Sequence, residues 1–255
     1  MMKKTSLYNE HKNLNAKLVD FAGYQMPIQY KGIIEEHLAV RESCGIFDVS
    51  HMGEFIISGQ GATDFLNEVT INDVTKISPW QAQYSAMCYE DGGIIDDILI
   101  YKYPDHYMLV VNCSNIEKNF DWILANKPKN INVANISSSI ELIAIQGPKS
   151  REILSKYSDI DLKNIDYYHF SVASICGYPV TLSRTGYTGE LGYEIYADGN
   201  AVKNIWNELL SSERKIIPAG LGCRDTLRME MKYVLYGNDI HEKTNPIEAG
   251  LGWIT

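Results

Sequence analysis

The sequence has no run of about 20 apolar residues, so it writes no helix long enough to cross a bilayer; its longest apolar pieces are strand-length, such as Tyr107–Val111. The opening segment, MMKKTSLYNEHKNLNAKL, starts basic but has no apolar stretch after it. That excludes a secretory signal there, and the segment lacks the Arg-rich amphipathic character of a transit peptide, so a cytoplasmic location is expected. Cysteine is scarce: Cys44, Cys88, Cys113, Cys176 and Cys223 are scattered, with no CxxC. This excludes a disulfide framework and argues against structural zinc. Positive charge is in deficit, with 23 Lys and Arg against 32 Asp and Glu. No basic stripe for nucleic acid is available, although a small basic pocket for an anion remains open. GxGxxG and GxxxxGK loops, HExxH, paired metal ligands and a nucleophile elbow are all missing, and with them the dinucleotide, P-loop, zinc-peptidase and serine-hydrolase classes. What remains is a chain of 255 residues, 45% hydrophobic and 22% charged. It is a folding globular sequence, long enough for one large domain or two ordinary ones.

Strand-then-helix units recur along it. Phe55–Ser58 leads into a helix near Ala62–Val69, Tyr107–Val111 into Asn115–Leu124, Glu141–Ile145 into Lys149–Tyr157, and Gly192–Tyr196 into Ala201–Leu210. Before them, Ile33, Ile34, His37, Leu38 and Arg41 are spaced as one face of a helix and its edge. Gln83–Tyr89, Ile94–Tyr103 and Val172–Arg184 read as strands without helices, the first two joined through Asp91-Gly92-Gly93 as a hairpin. Hairpins mixed with strand–helix units predict α+β with mixed or antiparallel sheets and flanking helices, not a doubly wound parallel sheet. A seam is expected near Ala125–Asn135, rich in Lys and Asn, and a second boundary after Asn245-Pro246.

Four segments carry polar residues in places that need explaining. In GGIIDDILIY (Gly92–Tyr101), strict alternation puts Ile95, Asp97 and Leu99 on one face and Ile94, Asp96, Ile98 and Ile100 on the other. At least one acid then faces a cavity or a buried partner; the alternative is an edge strand or bulge with both acids solvated. In SRTGYTGELGYE (Ser183–Glu194), glycines at 186, 189 and 192 allow close backbone approach. Its polar set is Arg184, Tyr187, Glu190 and Glu194, and a carboxylate there suits the amidine-like edge of a pterin or purine; the alternative is a Gly-rich hairpin. In PAGLGCRDTLRMEMKY (Pro218–Tyr233), Arg224 and Asp225 stand at helical spacing to Arg228, either as a helix start aiming Arg224 into a cleft or as a solvated face. In DVSHMGEF (Asp48–Phe55), His51 is an acid–base candidate or holds a structural hydrogen bond.

DFAGYQMPIQY, FDVSHMGEF, GGIIDDILIY, VNCSNIEK, IAIQGP, SRTGYTGELGYE, PAGLGCRDTLRMEMKYVLYGNDI and TNPIEAGLGW occur in this order from Thr5 to Trp253. Together they closely resemble the T protein of the glycine cleavage system, an aminomethyltransferase. The resemblance implies three domains around a central opening that holds tetrahydrofolate: two α+β lobes and a small C-terminal β-barrel, the last of which lies beyond the Trp253 motif and is absent from this chain. The lobes are expected at 1–55 with 136–255, and at 56–135. The implied reaction takes the aminomethyl group from the lipoyl arm of the H protein and releases ammonia. Its methylene passes to tetrahydrofolate through an iminium-like carbon, giving 5,10-methylenetetrahydrofolate. The resemblance places the catalytic acid on Asp97, with Asp96 as its neighbour. It places folate-binding positions on Met52, Tyr84, Asp97, Tyr101, Asn112, Tyr187, Glu194, Arg224 and Trp253, and implies no metal. Two relatives on the same scaffold compete: a folate-dependent demethylase, and a non-catalytic folate protein of iron–sulfur assembly. The GGIIDD pair favours aminomethyl transfer, and the late cysteine motif of the second is missing.

Overall fold

Two sheets dominate the computed structural model, which describes residues 2–212 and 216–255. The chain divides into two units, Met1–His51 with Ser139–Tyr233, and Met52–Ser138 with Val234–Thr255.

In the first unit the sheet runs Phe170–Ile175, Tyr178–Ser183, Gly192–Ala197, Glu141–Gln146, Cys44–Asp48, Ile216–Pro218. Only the last pair is parallel. The helix Gly199–Ser212 lays Val202, Ile205, Trp206 and Leu209 against it, on a core with Ile143, Ile145 and Ile195. Each such side chain contributes roughly 1.5–3 kcal/mol by leaving water. The expected strand Val172–Arg184 is instead a hairpin, Phe170–Ile175 paired with Tyr178–Ser183. Its two-residue turn, Cys176-Gly177, has φ of 52° and 82°. Positive φ at both central residues makes a turn whose twist matches the strands, and a cysteine at the first of them disguises it in the sequence.

The helix Ile33–Glu42 forms where predicted, but it buries Glu36 and Val40 while Ile34 and Leu38 stay 76% and 50% exposed. The reason is electrostatic. Glu36 Oε1 accepts the backbone N–H groups of Tyr30, Lys31 and Gly32, and its Oε2 that of Gly220. These donors precede two helix starts and have no partner within a helix. A second buried network ties the opening helix Tyr8–Asn13 to the sheet. Asp48 Oδ2 lies 2.8 Å from His11 Nε2 and accepts from Thr5 Oγ1 at 2.7 Å, and Tyr30 Oη lies 2.9 Å from His11 Nδ1. These hydrogen bonds hold the Asp48 carboxyl below its usual range against the opposing effect of burial.

In the second unit the order is Gln81–Cys88, Ile94–Lys102, Tyr107–Val111, Gly53–Ser58, Asn132–Asn135, all antiparallel. Helices Ala62–Val69 and Ile116–Asn126 supply Phe65, Leu66 and Ile123 to a core with Ile95, Ile98 and Ile100. The closing segment packs Ile240, Leu251 and Ile254 around Ala86 and Ile94. It adds hydrogen bonds from Ile94 N to Thr244 O and from Tyr236 Oη to Ile94 O. The assignment of 136–255 to one lobe therefore changes at its end: Val234–Thr255 belongs with the second unit. The Lys- and Asn-rich stretch is no seam either, because Asn132–Asn135 pairs with Gly53–Ser58. The chain crosses between units at His51/Met52 rather than after residue 55, at Ser138/Ser139, and again at Tyr233/Val234 rather than after Pro246. No helix among the described residues is long and apolar enough to cross a membrane.

Candidate active site

Asp96 and Asp97 stand on Ile94–Lys102, an inner strand flanked by Gln81–Cys88 and Tyr107–Val111, so the edge-strand alternative does not hold. The ladder pairs Met87 with Asp96 but Cys88 with Ile94, leaving Ile95 as an extra residue. Such a bulge shifts the alternation. Ile95 joins Ile98 and Ile100 in one core, and Ile94 joins Ala86 and Tyr84 in the other, which corrects the faces expected from strict alternation.

The two acids have different surroundings. Asp96, fully buried, accepts from Asn112 N at 3.0 Å and Asn112 Nδ2 at 2.9 Å. It also accepts from Asn115 Nδ2 at 2.6 Å and from Asn119 Nδ2. Asp97 accepts from Tyr84 Oη at 2.9 Å and from Asn112 Nδ2 at 2.8 Å. Asn112 thus bridges the pair. Burial, and then the charge of Asp97, push Asp96 up to about 7 against its asparagine donors. Burial also raises Asp97, opposed by Tyr84 and Asn112. The Tyr84 ring in turn stacks on Trp253 with centroids 5.8 Å apart, and Trp253 is 69% exposed. Tyr101 is wholly buried, and Met52 half-buried at the entry to Gly53–Ser58.

A second cluster belongs to the first unit. Glu194, buried in Gly192–Ala197, accepts from Thr185 Oγ1 at 2.5 Å. Burial raises its carboxyl, opposed by Thr185 and by the charge of Arg224. Arg224 sits in the first turn of Leu221–Glu230, its guanidinium 4.6 Å from the Tyr187 ring centroid. Its Nη1 is sealed from solvent with no hydrogen-bond partner among the described residues. The solvated-face alternative fails here too, since Arg228 is buried and bonded to Asp225 and Tyr233 O. His51 is buried with its ring edge on Phe21. Burial, then the charge of Arg224, push it down to about 4, which favours the neutral imidazole.

Two of the three glycines in this loop answer to packing against one side chain. A Cβ on Gly186 or Gly192 would lie 2.2 Å from the Gln146 side chain, and Gly189 adopts φ +79°. Gln146 is the residue that Gly186 and Gly192 make room for: its Nε2 donates to Thr185 O and its Oε1 accepts from Thr188 Oγ1. It thereby shapes the loop that presents Thr185 to Glu194. Gly192→Ala is expected to displace Gln146 and cost about 1–3 kcal/mol, the usual penalty of overpacking. Chemical denaturation checks this, and an unmoved midpoint would show that Gln146 swings aside freely. Gln146, Thr185, Asn115 and Asn119 escaped the sequence reading. The asparagines had a signal, since 112, 115 and 119 follow the i, i+3, i+7 spacing of one helical face.

The family model described as the GCVT N-terminal domain matches residues 7–255. The aminomethyltransferase of Chloroherpeton thalassium is 53% identical over 258 residues, covering 100% of this chain and 71% of the relative. That of Halothermothrix orenii is 50% identical over 255 residues, covering 99% and 71%. The crystal structure of glycine cleavage system aminomethyltransferase T from Bartonella henselae superposes with a TM-score of 0.93 at 30% identity, covering 100% of this chain and 69% of that one. The acid pair, the glutamate–arginine cluster and similarity along the whole chain lead to one assignment: the chain belongs to the GCVT family of aminomethyltransferases.

Proposed function

We propose that this protein is the aminomethyl-transferring component of a glycine cleavage system. It takes the aminomethyl group from the lipoyl arm of an H protein, releases ammonia, and passes the methylene to tetrahydrofolate. The observation that carries the reading is Asp97: a carboxylate on an inner strand, oriented from two sides by Tyr84 and Asn112 and raised above its ordinary range by burial. Tetrahydrofolate would supply the nitrogens that accept the one-carbon unit. Asp97 orients the acceptor and offsets the positive charge that develops on the transferred carbon, an effect strongest where water is excluded. Proton abstraction is not required of it, because an amine nitrogen is nucleophilic once positioned.

The residues of the second cluster fit a pteridine ring. Its amidine edge presents N–H donors to the buried carboxylate of Glu194, and its acceptor atoms suit the unpartnered Nη1 of Arg224. Tyr187 adds an aromatic wall. In this reading Met52, Tyr101 and Trp253 line the folate site as well. The assay follows ammonia and 5,10-methylenetetrahydrofolate from aminomethylated H protein. Methyl transfer without ammonia would establish a demethylase instead. Glu194→Gln is expected to weaken folate binding by about 2–3 kcal/mol, the value of a hydrogen bond to a charged group. Unchanged affinity by calorimetry would place the pterin elsewhere.

A further inference from the structure

Behind the Tyr187–Arg224 contact, wholly within the first unit, lies a cavity of about 240 Å³ lined by Tyr167, Arg184, Glu190, Tyr233 and the backbone of the loop 185–192. It is continuous with the glutamate–arginine cluster through aromatic rings: Tyr187, under Arg224, stacks on Tyr233 at 5.8 Å, and Tyr233 forms part of the cavity wall.

Two charged side chains line it. Glu190 is already used, since its Oε1 lies 2.9 Å from Arg41 Nη1. Arg184 is held from behind, where its Nη1 donates to Ile165 O at 3.1 Å. Its backbone is fixed by bonds to His169 O and from Tyr168 N. Among the described residues no carboxylate lies within ion-pair distance of its guanidinium. A guanidinium has five N–H donors in a rigid fork, so one bond to a carbonyl leaves most of its capacity facing the cavity. Tyr167 and Tyr233 line the same cavity.

We infer that this cavity is a carboxylate subsite, in which Arg184 grips one carboxylate of a glutamate-like unit. Three observations select this ligand class. One unpaired positive charge matches one carboxylate better than a dianionic phosphate. The fork geometry of Arg receives two oxygens at once, as a carboxylate presents them. The volume falls below the ~300 Å³ at which drug-sized sites begin, so it admits about one amino-acid unit. The carboxylate can come from the glutamyl end of the folate proposed above, in which case the inference rests on that reading, or from free glutamate.

The test compares binding of tetrahydrofolate, of tetrahydropteroate (the same ligand without the glutamyl unit), and of free glutamate to the full chain. Calorimetry is run on the wild type, Arg184→Gln and Arg184→Lys, with melting curves to confirm folding. If the subsite takes the folate tail, wild-type protein binds tetrahydrofolate roughly 10- to 100-fold more tightly than tetrahydropteroate, the range of a charge-assisted contact. Arg184→Gln removes that difference while leaving tetrahydropteroate affinity as it was, and Arg184→Lys restores part of it. If the source is free glutamate, wild type shows no preference between the two pterins but binds glutamate, and Arg184→Gln abolishes this. Absence of both Arg184-dependent effects in folded variants overturns the inference. Glu194→Gln keeps the outcomes separable. A loss of both pterins in that variant leaves the folate reading intact whatever Arg184 shows, whereas undiminished binding of both removes the folate reading and leaves the glutamate arm to decide the subsite.

Discussion

Asp97→Asn is expected to lower the turnover of aminomethyl transfer by on the order of 10²–10³-fold, the usual loss when a preorganised charge is removed from a reacting centre. Folate affinity should stay close to that of the wild type. The substitution is nearly isosteric, and its remaining carbonyl oxygen can still accept from Tyr84 Oη or Asn112 Nδ2. Only the negative charge is lost, so the effect should fall on kcat and not on KM. Ammonia release in single turnover, with folate binding measured in parallel, checks this. An unchanged rate would take Asp97 out of the transfer step. A variant that loses rate and melting temperature together would assign it a structural role.

Asp96→Ala should have the opposite signature. The asparagine donors that converge on Asp96 would lose their acceptor inside the protein. Each buried donor left unsatisfied costs about 1–3 kcal/mol. With partial relaxation the total is expected to reach about 3–4 kcal/mol, near the upper end for a single substitution, or a melting point lower by roughly 10 °C. The start of Ile116–Asn126 should loosen first, because Asn115 and Asn119 anchor it. Hydrogen exchange along that helix would show this, and unaltered protection there would sink the anchoring role. A pH dependence accompanies it. Since the folded Asp96 titrates near 7 and the ordinary value is 3.8, the folded chain holds a proton between those limits that the unfolded chain has released. Stability therefore falls as pH rises through that window, and this part of the slope should vanish in Asp96→Ala.

The adjacent acids illustrate what sequence reading can and cannot resolve. Their presence in an apolar strand required a buried partner for at least one of them, and that requirement is met. Which acid faces which layer depended on the bulge at Ile95. A bulge is stabilised by both neighbouring strands, so it has no signature within its own ten residues. The same holds for Ile33–Glu42: its periodicity is visible, but the buried face was chosen by four backbone donors seeking Glu36, one of them far away in sequence at Gly220. The Gly-rich loop was singled out, yet two of its glycines, Gly186 and Gly192, answer to Gln146, a residue in another strand.

By itself the sequence determined the class of fold, the positions of most strands and helices, and the family, because these follow from local periodicity, turn chemistry and motifs whose order survives along the chain. Through the motifs that resemble the family it also marked Asp97, Glu194 and Arg224 as site positions. Only the tertiary structure decided that Val234–Thr255 joins the second unit, that Asp96 is caged while Asp97 is held by Tyr84, and that Arg184 lines a cavity whose one carboxylate, Glu190, is paired with Arg41. Each of these depends on contacts between segments distant in sequence, and desolvation acts on a side chain through neighbours that the chain supplies only once folded.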